Sequence, residues 1–141
     1  MDAQQLAKLS VDKLISGDTA SRNLGMELQS ASPGGAVVSM TVRDDMVNGH
    51  KTAHGGIVFT LADTAFACAC NSHNVTNVAQ SCSINFTRPA LLGDVLLATA
   101  TEVTRGRRSG VYDVRVENGD GKLVAIFRGQ SANLNTPLVE I

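Results

Sequence analysis

One stretch of this sequence constrains the fold more than any other. From Gly55 to Asn71 the chain reads GGIVFTLADTAFACACN, and Asp63 is its only charged side chain. The Ala, Leu and Phe content after a Gly-Gly opening predicts one helix over 55–71, about 25 Å long at 1.5 Å per residue. It is apolar on nearly every face, so other structure has to enclose it. A bilayer core of about 30 Å needs a longer run without a central carboxylate, so no transmembrane span is expected.

The material available to enclose that helix is mostly strand. Ahead of it, Leu6, Leu9, Leu14 and Ile15 fall near helical spacing, and Ser16-Gly17-Asp18 supplies a stop and a new N-cap, so residues 1–22 form a helical segment. Gly25 to Ser30, the turn Pro33-Gly34-Gly35 and Ala36 to Val42 predict a hairpin. Arg43 to Ala53 reads as irregular. After the helix come Val78–Thr87, Val95–Thr104, Val111–Glu117 and Leu123–Asn133, separated by Arg88-Pro89, Leu92-Gly93-Asp94, Gly106 and Asn118-Gly119-Asp120-Gly121. The pattern is α+β: one antiparallel sheet with one helix to cover, in a single domain over 1–141. Pro137 to Ile141 is expected to fray.

Composition narrows the function classes. Twelve Lys+Arg against thirteen Asp+Glu give a net charge of -1, so no global field attracts nucleic acid or an anionic membrane. Cys68, Cys70 and Cys82 are an odd set without paired metal-site spacing, and the N-terminus lacks an uninterrupted apolar run of signal-peptide type; both suggest the cytoplasm.

Asp63 needs an explanation, because an ionised carboxylate in an apolar helix costs several kcal/mol unless it is paired, hydrated or used. It either pairs with a neighbouring group or serves chemistry. At the helix start, His54-Gly55-Gly56 offers free backbone N–H groups and the positive end of the helix dipole, with no side chain in the way, which suits polarisation of a carbonyl. Gly55 and Asp63 lie about 12 Å apart along the axis, too far for both to reach one carbonyl. A two-fold partner with an antiparallel helix would join them, so the spacing predicts an active site shared by a homodimer.

Asn48, His50 and His54 precede the helix, where they either orient a water or a thioester oxygen or, for the two histidines, ligate a metal. No third ligand stands at convincing spacing, so no metal is expected. No G-x-S-x-G elbow supports a serine nucleophile. The turn Arg105-Gly106-Arg107-Arg108-Ser109-Gly110 is either solvated surface or a grip for phosphate oxygens.

Asn48-Gly49-His50, His54-Gly55-Gly56 and Leu61-Ala62-Asp63-Thr64-Ala65-Phe66-Ala67 together resemble the hotdog-fold acyl-CoA thioesterases of the phenylacetate-degradation (PaaI) type. The likeness runs on through Ser83 to Pro89, Gly93-Asp94, Gly110 to Val114 and Ala125 to Gly129. It implies a curved antiparallel sheet wrapped around the central helix, dimers with adjacent helices, and a homotetramer. It also implies hydrolysis of an acyl-CoA, phenylacetyl- or hydroxyphenylacetyl-CoA above all, to free acid and CoA. No cofactor is needed, because CoA is part of the substrate.

In that resemblance the Gly55 N–H polarises the thioester carbonyl, with Gly56 beside it, and Asp63 of the facing subunit is nucleophile or general base. Asn48 positions the ester or the water, and His54 braces the loop. Ser81, or its neighbour Ser83, holds the water. Arg88 and the turn Gly106, Arg107, Arg108 and Ser109 meet the CoA phosphates, and Phe66 touches the acyl group or packs in the core. Hydroxybenzoyl-CoA relatives can carry glutamate and then threonine where this chain has Asp63 and Ala67, which favours the phenylacetyl type. The alternatives are a hotdog enoyl-CoA hydratase or dehydratase and a non-catalytic acyl-CoA-binding module.

Overall fold

The computed structural model describes residues 1–141. Asp2 opens helix α1 (Ala3–Ser16) with a reciprocal cap: its Oδ1 accepts the Gln5 N–H at 2.8 Å, and its own N–H donates to Gln5 Oε1 at 2.9 Å. Gly17 ends α1, and Asp18 caps the short α2 (Thr19–Asn23) by accepting from Ser21 N–H and Oγ. Strands β1 (Glu27–Ser32) and β2 (Gly35–Thr41) form the expected hairpin. The first strand starts two residues later than the sequence suggests, because Gly25 adopts φ +74° and turns the chain instead of extending it.

The central helix α3 (Gly55–Cys70) is followed by β3 (Asn77–Phe86), β4 (Val95–Arg105), β5 (Ser109–Glu117) and β6 (Leu123–Asn133). All six strands make one antiparallel sheet in the order β1-β2-β4-β5-β6-β3. Irregular pairing at Gln29, Gln80 and Val103 breaks the ladder, and such bulges bend and twist a sheet. The result is the hotdog arrangement, a curved sheet around one helix. Alternate residues of the inner strands, such as Val38, Leu96, Val114 and Phe127, are buried against Leu61, Ala62, Ala65, Phe66 and Ala69 of α3. No helix is long and apolar enough to cross a membrane.

Enclosure of α3 is incomplete. Gly56, Thr60, Asp63 and Ala67, spaced at helical i, i+4, i+7 and i+11, remain partly or fully exposed along one stripe. The sheet edges also differ. Gln4 of α1 reaches β1 at Ala31 O (2.7 Å), whereas β3 is uncovered and carries no charge or proline along its ten residues.

The C-terminal tail does not fray as expected. Asn74 clamps it: Oδ1 accepts the N–H groups of Leu138 (3.1 Å) and Val139 (3.0 Å), and Nδ2 donates to Val139 O at 3.0 Å.

At the end of the sheet where α3 finishes, Glu102 Oε1 accepts Tyr112 O–H at 2.9 Å and faces His73 Nε2 at 2.9 Å. Burial alone raises the Glu102 carboxyl, but these bonds outweigh it and hold it below the ordinary glutamate range. A depressed carboxyl stabilises the fold above its unfolded value and loses that contribution as pH falls through the folded one. Glu102→Gln is therefore expected to lower Tm at neutral pH, with the gap to wild type closing as pH drops through the carboxylate range. Thermal melts across pH check this.

Candidate active site

The loop before α3 is built to present its first two N–H groups. Asn48 Oδ1 accepts from His50 N–H (2.9 Å), Thr52 N–H (3.3 Å) and Thr52 Oγ1 (3.1 Å), closing a tight turn in which Lys51 takes φ +62°. Ala53 N–H then donates to Ala90 O at 2.7 Å and His54 N–H to Met46 O at 2.8 Å. The first intrahelical bonds come from Ile57 and Val58 to His54 O, so the Gly55 and Gly56 N–H groups are left without an acceptor. A Cβ on Gly55 would lie 3.2 Å from the Phe86 ring, and one on Gly56 would meet nothing within 4 Å. A cleft of about 360 Å³ opens here, bordered by Thr52, Gly55, Phe86, Arg88, Pro89 and Val124.

Two helical turns on, Asp63 is half-buried and its carboxylate has no hydrogen-bond partner within the chain. Burial, with a smaller push from Asp18, raises its carboxyl above the ordinary aspartate range. Cys82 of β3 lies close enough for the Asp63 charge to add to the burial that raises its thiol. Cys68 and Cys70 are buried and pushed up to about 12, which keeps them as unreactive thiols near neutral pH.

Gly55 and Asp63 thus stand on one helix, about 12 Å apart along its axis. Some site residues sit where the sequence reading placed them, and others need correction. Asn48 is exposed, its amide oxygen committed to the loop and its Nδ2 free of partners within the chain. His54 braces the loop through its backbone; its exposed ring makes no cap bond.

Phe66 is 1% exposed, packed against Tyr112 and Phe127 with ring centroids 5.8 and 5.7 Å away, so it is a core residue and does not contact an acyl group. Ser81 pairs with Gln130 and Ser83 with Arg128, on the sheet face turned away from α3, so neither hydroxyl faces Asp63. Cys82, opposite Gly129, takes the inward position between them.

Arg88 follows β3 at the helix-start end, whereas Gly106, Arg107, Arg108 and Ser109 join β4 to β5 at the far end, where β6 finishes: Asn133 N–H bonds Arg108 O. One chain therefore does not bring Arg88 and that turn together. Phe86 beside Gly55, and Asp18 beside Asp63, were not singled out from the sequence. Alternation along Cys82, Ile84 and Phe86 carried the signal for the first; the second depends on tertiary placement of α1 and α2.

Comparison with known proteins identifies the family. Residues 50–125, from the loop through α3 to the start of β6, match the model of the thioesterase superfamily. The acyl-coenzyme A thioesterase PaaI of Escherichia coli is 48% identical over 118 residues, 84% of each chain. Its structure superposes with TM-score 0.95 at 42% identity, covering 96% of this chain and 99% of that one. Human acyl-coenzyme A thioesterase 13 is 32% identical over 82% of this chain and 89% of its own. A hypothetical thioesterase protein of Streptococcus pneumoniae solved with coenzyme A has TM-score 0.77 at 28% identity, covering 79% of this chain and 90% of that one.

Proposed function

The chain belongs to the thioesterase superfamily and is a thioester hydrolase, and from that premise we propose that it cleaves phenylacetyl- or hydroxyphenylacetyl-CoA to free acid and CoA at sites shared between two copies. The observation that carries this reading is the open stripe of α3. It holds an unpartnered carboxylate at Asp63 and two unpartnered N–H groups at Gly55 and Gly56, too far apart to act on one carbonyl within a chain.

The uncovered β3 edge supplies the means of pairing. A ten-residue edge without charge or proline, with exposed Val78 and Phe86 near its two ends, is a template for another strand. Two-fold pairing of β3 with β3 lays the α3 helices antiparallel and brings each Asp63 toward the partner's helix start. Exposed Val95, Leu97 and Ile126 on the outer sheet face argue for a further interface between two such dimers.

In the proposed reaction the Gly55 and Gly56 N–H groups hold the thioester oxygen as it gains charge. Asp63 removes a proton from the attacking water, the tetrahedral intermediate expels the CoA thiolate, and the thiolate takes the proton from the carboxyl. Direct attack by Asp63, giving a mixed anhydride that water then opens, satisfies the same geometry. The free Asn48 Nδ2 orients water or ester, and Arg88 meets the CoA phosphates, with the partner's 106–109 turn as the second phosphate contact. No cofactor beyond the substrate's own CoA enters, and the free thiols suit a cytoplasmic enzyme.

Purified protein is expected to release free CoA and the acid from phenylacetyl-CoA, followed by loss of thioester absorbance. Recovery of only hydrated acyl-CoA would replace the reading with a hydratase. Sharing of the site has its own test. Asp63→Asn and Gly56→Val homodimers are each expected to be inactive, and subunit exchange between them should restore about a quarter of the wild-type sites, since half the dimers become mixed and each of those holds one intact site. No recovery after verified exchange overturns the shared site.

A further inference from the structure

Along α3 just beyond Asp63, where Thr64, Ala67 and Cys68 line it, lies a second cavity of about 570 Å³, and its other walls come from both ends of the chain. Leu14, Ile15 and Asp18 at the end of α1 form one side, Pro137 and Leu138 of the tail another, and Ala67 of α3 the floor. Most of the wall outside α3, from Lys13 to Asp18 and at Pro137 and Leu138, lies outside the 50–125 segment that matches the superfamily, whereas Thr76 lies within it. It is held in shape. Asn74 pins Leu138 and Val139 through three hydrogen bonds, and Thr76 N–H bonds Thr136 O at 2.7 Å.

Resting on the thioesterase reading, we infer that this cavity receives the acyl group, and that Ala67 and Leu138 select among acyl-CoA substrates by setting its depth and width. Ala67 lies four residues after Asp63 on the same stripe, so its Cβ is about one turn, roughly 5–6 Å, from that of Asp63. A carbonyl held at Asp63 therefore places its substituent over Ala67. Leu14, Ile15, Pro137 and Leu138 give an apolar lining, and the volume falls within the roughly 300–1,000 Å³ of small-molecule pockets. The cleft at Gly55 is the less suitable host, because Arg88 and Thr52 make it a place for the polar pantetheine and nucleotide side. Lys13 at the rim makes no salt bridge within the chain and stands where a ring hydroxyl or other polar acyl substituent would emerge.

The experiment compares kcat/KM for acetyl-CoA, phenylacetyl-CoA and decanoyl-CoA in wild type, Ala67→Leu and Leu138→Ala, each checked by thermal melt and oligomeric state. Ala67→Leu extends a side chain into the space, so the phenylacetyl-to-acetyl ratio is expected to fall at least tenfold. Leu138→Ala, which removes wall and leaves α3 untouched, is expected to raise the decanoyl-to-phenylacetyl ratio several-fold and keeps the test decisive if Ala67→Leu does not fold. Hydrolysis that persists with both ratios unchanged overturns the pocket assignment alone. A wild type that hydrolyses none of the three esters overturns the thioesterase substrate reading, and the pocket with it.

Discussion

Asp63→Asn is expected to lower kcat on phenylacetyl-CoA by about 10²–10⁴-fold with little change in KM, the range for loss of one positioned acid–base group. That corresponds to about 3–5 kcal/mol of barrier. The amide keeps the size of the carboxylate, so contacts along the open stripe of α3 survive and only the proton acceptor or nucleophile is lost. Steady-state and single-turnover rates on the same preparation separate chemistry from binding. A variant keeping more than about a tenth of wild-type kcat defeats the assignment.

The pH profile gives the same group an independent signature. Burial first, and the Asp18 charge second, raise the Asp63 carboxyl, so its active ionised form disappears at a higher pH than an ordinary aspartate would allow. Asp18→Asn removes one of those causes and retains the N-cap of α2, since Asn caps about as well as Asp. The acid limb of kcat/KM is therefore expected to move to lower pH in Asp18→Asn and to vanish with the activity in Asp63→Asn.

Why Asp63 was legible and other site residues were not comes down to what each depends on. A lone carboxylate in an apolar helix stands out by composition alone, and the free N–H groups of Gly55 and Gly56 follow from any helix start without a side-chain cap. The strands were equally open to reading: β5 alternates Tyr112, Val114 and Val116 inward with Asp113 and Arg115 outward. Ser81 went astray although the same rule applied to it. With Cys82, Ile84 and Phe86 facing inward, period two already turns Ser81 and Ser83 outward. The acyl cavity was hidden for a different reason: it depends on the tail folding back to Asn74, a contact across more than sixty residues that no local pattern encodes. The division of the arginines was hidden likewise, since only strand order shows that Arg88 and Arg107 stand at opposite ends of the sheet.

Phe66 illustrates how a residue within the motif can be essential without touching substrate, and it carries the largest expected effect on stability. Its ring lies directly over Gly129 of β6: a Cβ there would sit 2.8 Å from ring carbons Cε1 and Cζ. This contact sets how closely α3 approaches the sheet, three residues beyond Asp63. Phe66→Ala is expected to cost about 3–5 kcal/mol, as for other fully buried aromatics, and Gly129→Ala about 1–3 kcal/mol from overpacking. The two substitutions share one volume, so they should not add. With the ring gone, the alanine methyl at position 129 enters space already vacated, and the double variant is expected to be no less stable than Phe66→Ala alone, a coupling of about 1–3 kcal/mol. Denaturant melts of the four proteins measure the cycle. Strict additivity would mean that the ring and the glycine do not limit each other, and that the helix-to-sheet spacing which presents Asp63 is set elsewhere.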